Sequence, residues 1–199
     1  MRAIEWHRYL LEQRERHGKM LFSVSELANI GSTTPAALNL ALIRLVAGGV
    51  LARYVRAWYG LPGQVDIDHL IRAIDGGAYI TSTASLYRHG LITQIPMQTL
   101  CFTNRRYNRA RERRTPLGTL VFACVQRPIY DPPPDGEIRA PAAQALFDFV
   151  YISRRDGVDP QSNVTFRNIR KVNSIEIARI GGRYPSSVRR QVEAIVAAG

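Results

Sequence analysis

Apolar residues recur at helical spacing through the first third of the chain, and glycines or capping residues interrupt them. Ile4, Trp6, Tyr9, Leu10 and Leu11 form a broad apolar stripe, so residues 1–17 read as a helix that Gly18 stops. Leu21-Phe22 is a short apolar entry. Ser23 or Ser25 can cap a second, short helix over Glu26–Ile30, ended by Gly31. Ser32-Thr33-Thr34-Pro35 is a stronger start signal: hydroxyl caps, then a proline whose missing N–H costs nothing in a first turn. It predicts a third helix over Ala36–Ala47, with Leu38, Leu42, Leu45 and Val46 on one buried face and Gly48-Gly49 at its end.

Beyond those glycines the period shortens. Residues 50–55 and 58–62 read as two strands around a tight turn. Three helices and a hairpin in about 60 residues outline a winged helix-turn-helix, whose third helix would enter a major groove with the hairpin as wing. The bland counterpart is a small helical domain used for protein contact. After a linker over 63–66, Asp68 can cap a helix through Ala73. A strand follows over Ala78–Ile80, then a helix capped by Ser82 or Thr83 that runs to His89 and stops at Gly90. Thr99–Thr103 and Thr119–Gln126 are predicted strands, and Asp131–Gly136 is a proline-rich loop. Pro141 opens a helix through Ser153, with Ala142, Ala145, Leu146, Phe149 and Val150 on one side. Asn173-Ser174-Ile175-Glu176 is a capping box for a helix to Ile180, and residues 185–198 form the last helix. The expected fold is α+β: an N-terminal winged helix-turn-helix over 1–62, then a mixed α+β domain over 63–199, without βαβ alternation.

Composition narrows the function. Of 199 residues, 27 are Lys or Arg and 16 are Asp or Glu, a formal net charge of +11 that points to a polyanionic partner. Lys19 and Lys171 are the only lysines, so arginine supplies the charge, and arginine suits bidentate phosphate and guanine contacts. A GC-rich coding bias would produce the same excess. The charge is spread nearly evenly along the chain except where Arg105, Arg106, Arg109, Arg111, Arg113 and Arg114 crowd one stretch between predicted strands, interleaved with Tyr107 and Asn108. That stretch is either an anion-binding surface or a solvated loop.

Catalytic signals are sparse. His7, His17, His69 and His89 are scattered, and Asp66-Ile67-Asp68-His69 reads better as a helix cap with a surface histidine than as a metal cluster. Cys101 and Cys124 fall in predicted strands and suit small buried hydrophobes; two cysteines make neither a disulfide framework nor a cysteine-based zinc site. No paired glycines have the spacing of a phosphate-binding loop. No apolar run approaches a membrane span, and the N-terminus does not read as a secretory signal. The expectation is a cytoplasmic, non-enzymatic protein without cofactor, metal or membrane partner.

Three ordered stretches resemble a known family, the AbiEi-type antitoxins, which are the transcriptional-regulator half of type IV toxin–antitoxin pairs. They are the winged helix whose hairpin ends Trp58-Tyr59-Gly60-Leu61-Pro62; residues 79–91 followed by Gln94-Ile95-Pro96; and Ala140 to Asp148, similar to a P-x-x-A-L-x-D helix start. Where such wings usually carry a glycine after basic residues, this chain has Val55-Arg56-Ala57. The resemblance implies a repressor that binds double-stranded operator DNA containing repeats, as monomer or homodimer, and a second domain that opposes a nucleotidyltransferase-type toxin. On this reading Ser32, Thr33, Thr34, Ala36, Asn39 and Arg44 belong to the groove-facing helix and its start. Arg53 and Arg56 reach out from the wing, and the six clustered arginines form a second DNA-facing surface. The third helix is poor in polar groups, and Leu40 and Ile43 could instead pack on the second domain or on another copy. An RNA- or single-strand-binding protein using Tyr107 and the arginines is the alternative, and a basic nuclease is a third reading for which no acidic metal constellation is visible.

Overall fold

The computed structural model describes residues 2–31, 34–106, 111–134, 136–162 and 164–198. These form a mixed α+β structure with eight α-helices and two small sheets. The chain divides into two compact units, 1–76 together with 114–117, and 77–113 together with 118–199. The first therefore runs past the boundary expected after Pro62.

In the first unit α1 spans Ala3–His17. The Glu5 carboxylate accepts from the Arg2 backbone N–H, and Gly18, at φ +63°, closes the other end by donating to Arg14 O. Trp6 and Leu10 are buried, whereas Ile4 is 68% exposed and falls off the predicted stripe. The entry at Leu21 is a strand, β1 (Leu21–Ser23), and α2 follows at once over Val24–Gly31. Ser23 and Glu26 exchange hydrogen bonds as a capping box, so Ser23 rather than Ser25 starts this helix, two residues earlier than predicted. Glu26 also pairs with Lys19. α3 covers Pro35–Ala47, β2 Ala52–Val55 and β3 Trp58–Gly60. The antiparallel sheet has the order β1-β3-β2, which places β3 in the middle.

That middle position explains Gly60. It lies opposite both Leu21 and Ala52, and a Cβ there would sit 2.5 Å from Met20 O and 2.7 Å from Val65 Cγ2. The core gathers Trp6, Leu10, Phe22, Leu27, Leu38, Leu42, Leu45, Leu51 and Leu61. Val46, predicted to share that face, is 38% exposed: at 100° per residue it sits on the edge of the arc that Leu38, Leu42 and Leu45 define. α4 (Ile67–Ile74) is capped by Asp66 and not by Asp68; Asp66 accepts from His69 N and pairs with the exposed His69 ring at 2.7 Å.

The second unit holds β4 (Tyr79–Ile80), β5 (Gln98–Thr103), β7 (Gly118–Cys124) and the first two residues of β6 (Glu112–Thr115), in a sheet of order β4-β5-β7-β6. β5 and β7 are parallel neighbours, and among the described residues between them lies no helix but the edge strand β6. α5 (Ser82–Arg88) starts without the expected hydroxyl cap, because its N-cap residue is Thr81 and the Thr81 hydroxyl is engaged elsewhere. Leu100, Phe102, Val121 and Ala123 contribute to the core with α6 (Ala142–Arg155), α7 (Ser174–Gly181) and α8 (Ser186–Ala198). Asn173 caps α7 by accepting from Ile175 N and Glu176 N. α6 is buried on almost every side, not along the single predicted stripe, since Gln144, Phe147 and Asp148 are buried as well. Among the described residues no single helix is long and apolar enough to cross a membrane.

Candidate nucleic-acid interface

Thr34 and Pro35 set the start of α3. The Thr34 hydroxyl accepts from Ala37 N at 3.3 Å, and Pro35 occupies the first turn. Leu38, Leu42 and Leu45 anchor the helix in the core and turn Ala36, Asn39, Leu40, Ile43 and Arg44 outward, all exposed. Ser32 and Thr33 lie outside the described residues. α3 contains no acidic residue, and none occurs anywhere from Leu27 to Val65.

The hairpin beside it turns in two residues, Arg56-Ala57. Ala57 takes φ +68°, the left-handed conformation that glycine adopts without strain, and its carbonyl accepts from Val24 N at 3.0 Å. An alanine thus holds a glycine-like backbone in this turn. Arg53 on β2 and Arg56 in the turn are exposed, and among the described residues neither makes an ion pair. Tyr54, between them, points inward, and its hydroxyl donates to Leu61 O at 2.9 Å. Strand alternation therefore delivers Arg53 to solvent and Tyr54 to the core.

The arginine-rich stretch is not one loop. Arg105 and Arg106 follow β5 and are exposed. Arg111 leads into β6, and its carbonyl accepts from Phe122 N. Arg113 and Arg114 are on β6 itself, where alternation separates them: Arg113 is half-buried with its guanidinium over the Phe122 ring, 5.6 Å from the centroid, and Arg114 is exposed. Arg109, with Tyr107 and Asn108, lies outside the described residues. The missed strand is short and almost wholly polar, so it has no hydrophobic alternation to announce it.

One polar cluster escaped the sequence reading. Asp148, within α6 and fully buried, accepts from the Thr81 hydroxyl at 2.6 Å, the Tyr184 hydroxyl at 2.5 Å and the Tyr79 hydroxyl at 3.3 Å. Burial pushes its carboxyl up to about 7, although the three hydroxyl donors work in the opposite direction. Burial and the neighbouring Asp148 hold both tyrosines well above the usual phenol range. Nearby, Gln144 donates to Asp131 O, and Arg183 pairs with the Asp131 carboxylate. The sequence signal was available: an acid set inside Ala-Leu-Phe-Asp-Phe-Val. The cluster ties β4, α6 and the approach to α8 together. Among the described residues no group of three or more His, Cys, Asp or Glu could hold a metal ion.

No protein-family model matches this chain, and no curated protein matches it either.

Proposed function

We propose that this protein is a double-stranded-DNA-binding transcriptional regulator and the antitoxin of a type IV toxin–antitoxin pair. The observation that supports it is the first unit's topology. The order α1-β1-α2-α3-β2-β3, with sheet order β1-β3-β2, fits the arrangement expected of a winged helix-turn-helix. In that arrangement α3 is the groove-reading helix and the β2–β3 turn is the wing. Thr34, Ala36, Asn39 and Arg44 then face DNA, while Arg53 and Arg56 reach phosphates or a minor groove. Arg105, Arg106, Arg111 and Arg114 offer further phosphate contacts; Arg113, held over Phe122, is less available. The protein acts in the cytoplasm without catalysis. The antitoxin half rests on the family resemblance, and a nucleotidyltransferase encoded next to this gene would strengthen it.

A gel-shift titration with the DNA upstream of its own gene tests the reading. Nanomolar to micromolar retardation that weakens steeply with salt is expected. Replacing Arg53 and Arg56 together by alanine should weaken binding and lower the salt slope by about two counterions. Failure to retard any duplex at moderate salt sinks the proposal, and a strong preference for single strands favours the RNA- or single-strand-binding alternative.

A further inference from the structure

The outward face of α3 is unusual for a helix that reads bases, because it is mostly apolar. At 100° per residue Ala36, Leu40, Ile43 and Ala47 fall in one stripe, directly opposite the buried Leu38, Leu42 and Leu45. Leu40 is 49% exposed and Ile43 66%. Asn39 borders the stripe on one side and Arg44 on the other, both exposed. The stripe is about 16 Å long, which matches roughly five base pairs of a major groove. Exposed arginines on the hairpin and the absence of any acid from Leu27 to Val65 make a polyanion a better occupant than an apolar protein face.

Major-groove edges present one apolar group, the thymine C5-methyl; an asparagine amide pairs bidentately with adenine N6 and N7. A face of four apolar side chains and one asparagine therefore matches A·T pairs. Arg44 is the only α3 side chain that could read guanine bidentately. We infer that the α3 face built from Leu40 and Ile43 with Asn39 selects its DNA by thymine methyl groups and an adenine. This inference rests on the DNA-binding reading and names what that site recognises.

The test uses the full chain and a duplex selected from random sequence for tight binding. The same duplex is then made with deoxyuridine replacing thymidine inside the footprint, which removes methyls and keeps every hydrogen-bonding group. Each methyl in contact should be worth about four-fold in affinity. Leu40→Ala and Ile43→Ala should erase most of the difference between thymidine and deoxyuridine duplexes. Because both side chains are exposed, the melting temperature should not change. Arg53→Ala should weaken both duplexes equally. If the protein binds duplex DNA but does not distinguish the two, the inference is overturned and the DNA-binding reading survives. If no duplex is bound, both fall. If Leu40→Ala instead dissociates a homodimer and leaves no methyl dependence, a second copy covers this face and the inference is again overturned.

Discussion

Asp148→Asn is the most informative single substitution in the second unit. In the wild type the buried carboxyl is raised from 3.8 to about 7. A folded-state value above the unfolded one means that the folded protein holds its proton more tightly between those limits. The stabilisation is complete below about pH 4 and is lost as pH rises through 7. At about 1.4 kcal/mol per pH unit the whole loss is about 4 kcal/mol, of which roughly 3 kcal/mol falls between pH 5 and 8. Against a typical domain stability of about 5–15 kcal/mol this is a large share. For a chain of this size it amounts to roughly 6–12 °C in melting temperature. Asparagine has nearly the same shape, keeps one acceptor oxygen and carries no charge at any pH, and the hydroxyls of Thr81, Tyr79 and Tyr184 can turn to accept from its amide. The assay is thermal unfolding at pH 5 to 8, followed by circular dichroism of the helices. Fluorescence supplies a control, because Trp6 and Trp58 are the only tryptophans and both belong to the first unit. The wild type should lose stability as pH rises, and Asp148→Asn should flatten the profile. A flat wild-type profile, or an unchanged slope in the variant, would refute the argument that an ionised carboxylate is disfavoured in this cluster.

Other substitutions test the first unit. Gly60→Ala should destabilise it by about 3 kcal/mol or more, because the added carbon meets backbone and Val65 in the middle of the sheet; the denaturation midpoint read by tryptophan fluorescence checks this. Ala57→Gly should stabilise by about 0.5–1 kcal/mol, since release from a left-handed backbone exceeds the added freedom of the unfolded chain; a lower urea midpoint would count against the turn geometry. Thr34→Ala should cost about 0.5–1 kcal/mol through the lost α3 cap. Its effect on DNA affinity, measured alongside, separates capping from phosphate contact.

Elements whose signals lie within a few residues were legible in advance. Gly18 closing α1, Thr34-Pro35 opening α3, Asn173 opening α7 and the spacing of Leu38, Leu42 and Leu45 are set by local backbone hydrogen bonds and by a 3.6-residue period. The succession of three helices and a hairpin could be read from such signals. The choice of Asp66 over Asp68 as the α4 cap could not, because adjacent acids compete and the winner depends on where the first turn begins. The placement of Arg53 on a strand and Arg56 in a tight turn was legible in the sequence, because a short turn between two apolar strands is itself a local feature.

Pairing and burial were decided by the tertiary structure. β1 is a strand because β3, more than 30 residues later, supplies its hydrogen bonds, and the polar β6 exists because β7 offers it an edge. The arginine stretch was therefore read as one loop, although two of its members are on opposite faces of a strand. Asp148 is the sharpest case. An acid in an apolar run is a feature of the sequence, but the hydroxyls that make its burial tolerable come from positions 67 and 69 residues before it and 36 after. Local chemistry sets where helices start and stop in this chain; which strands pair, and which charge can be buried, depends on partners that only the folded chain brings within bonding distance.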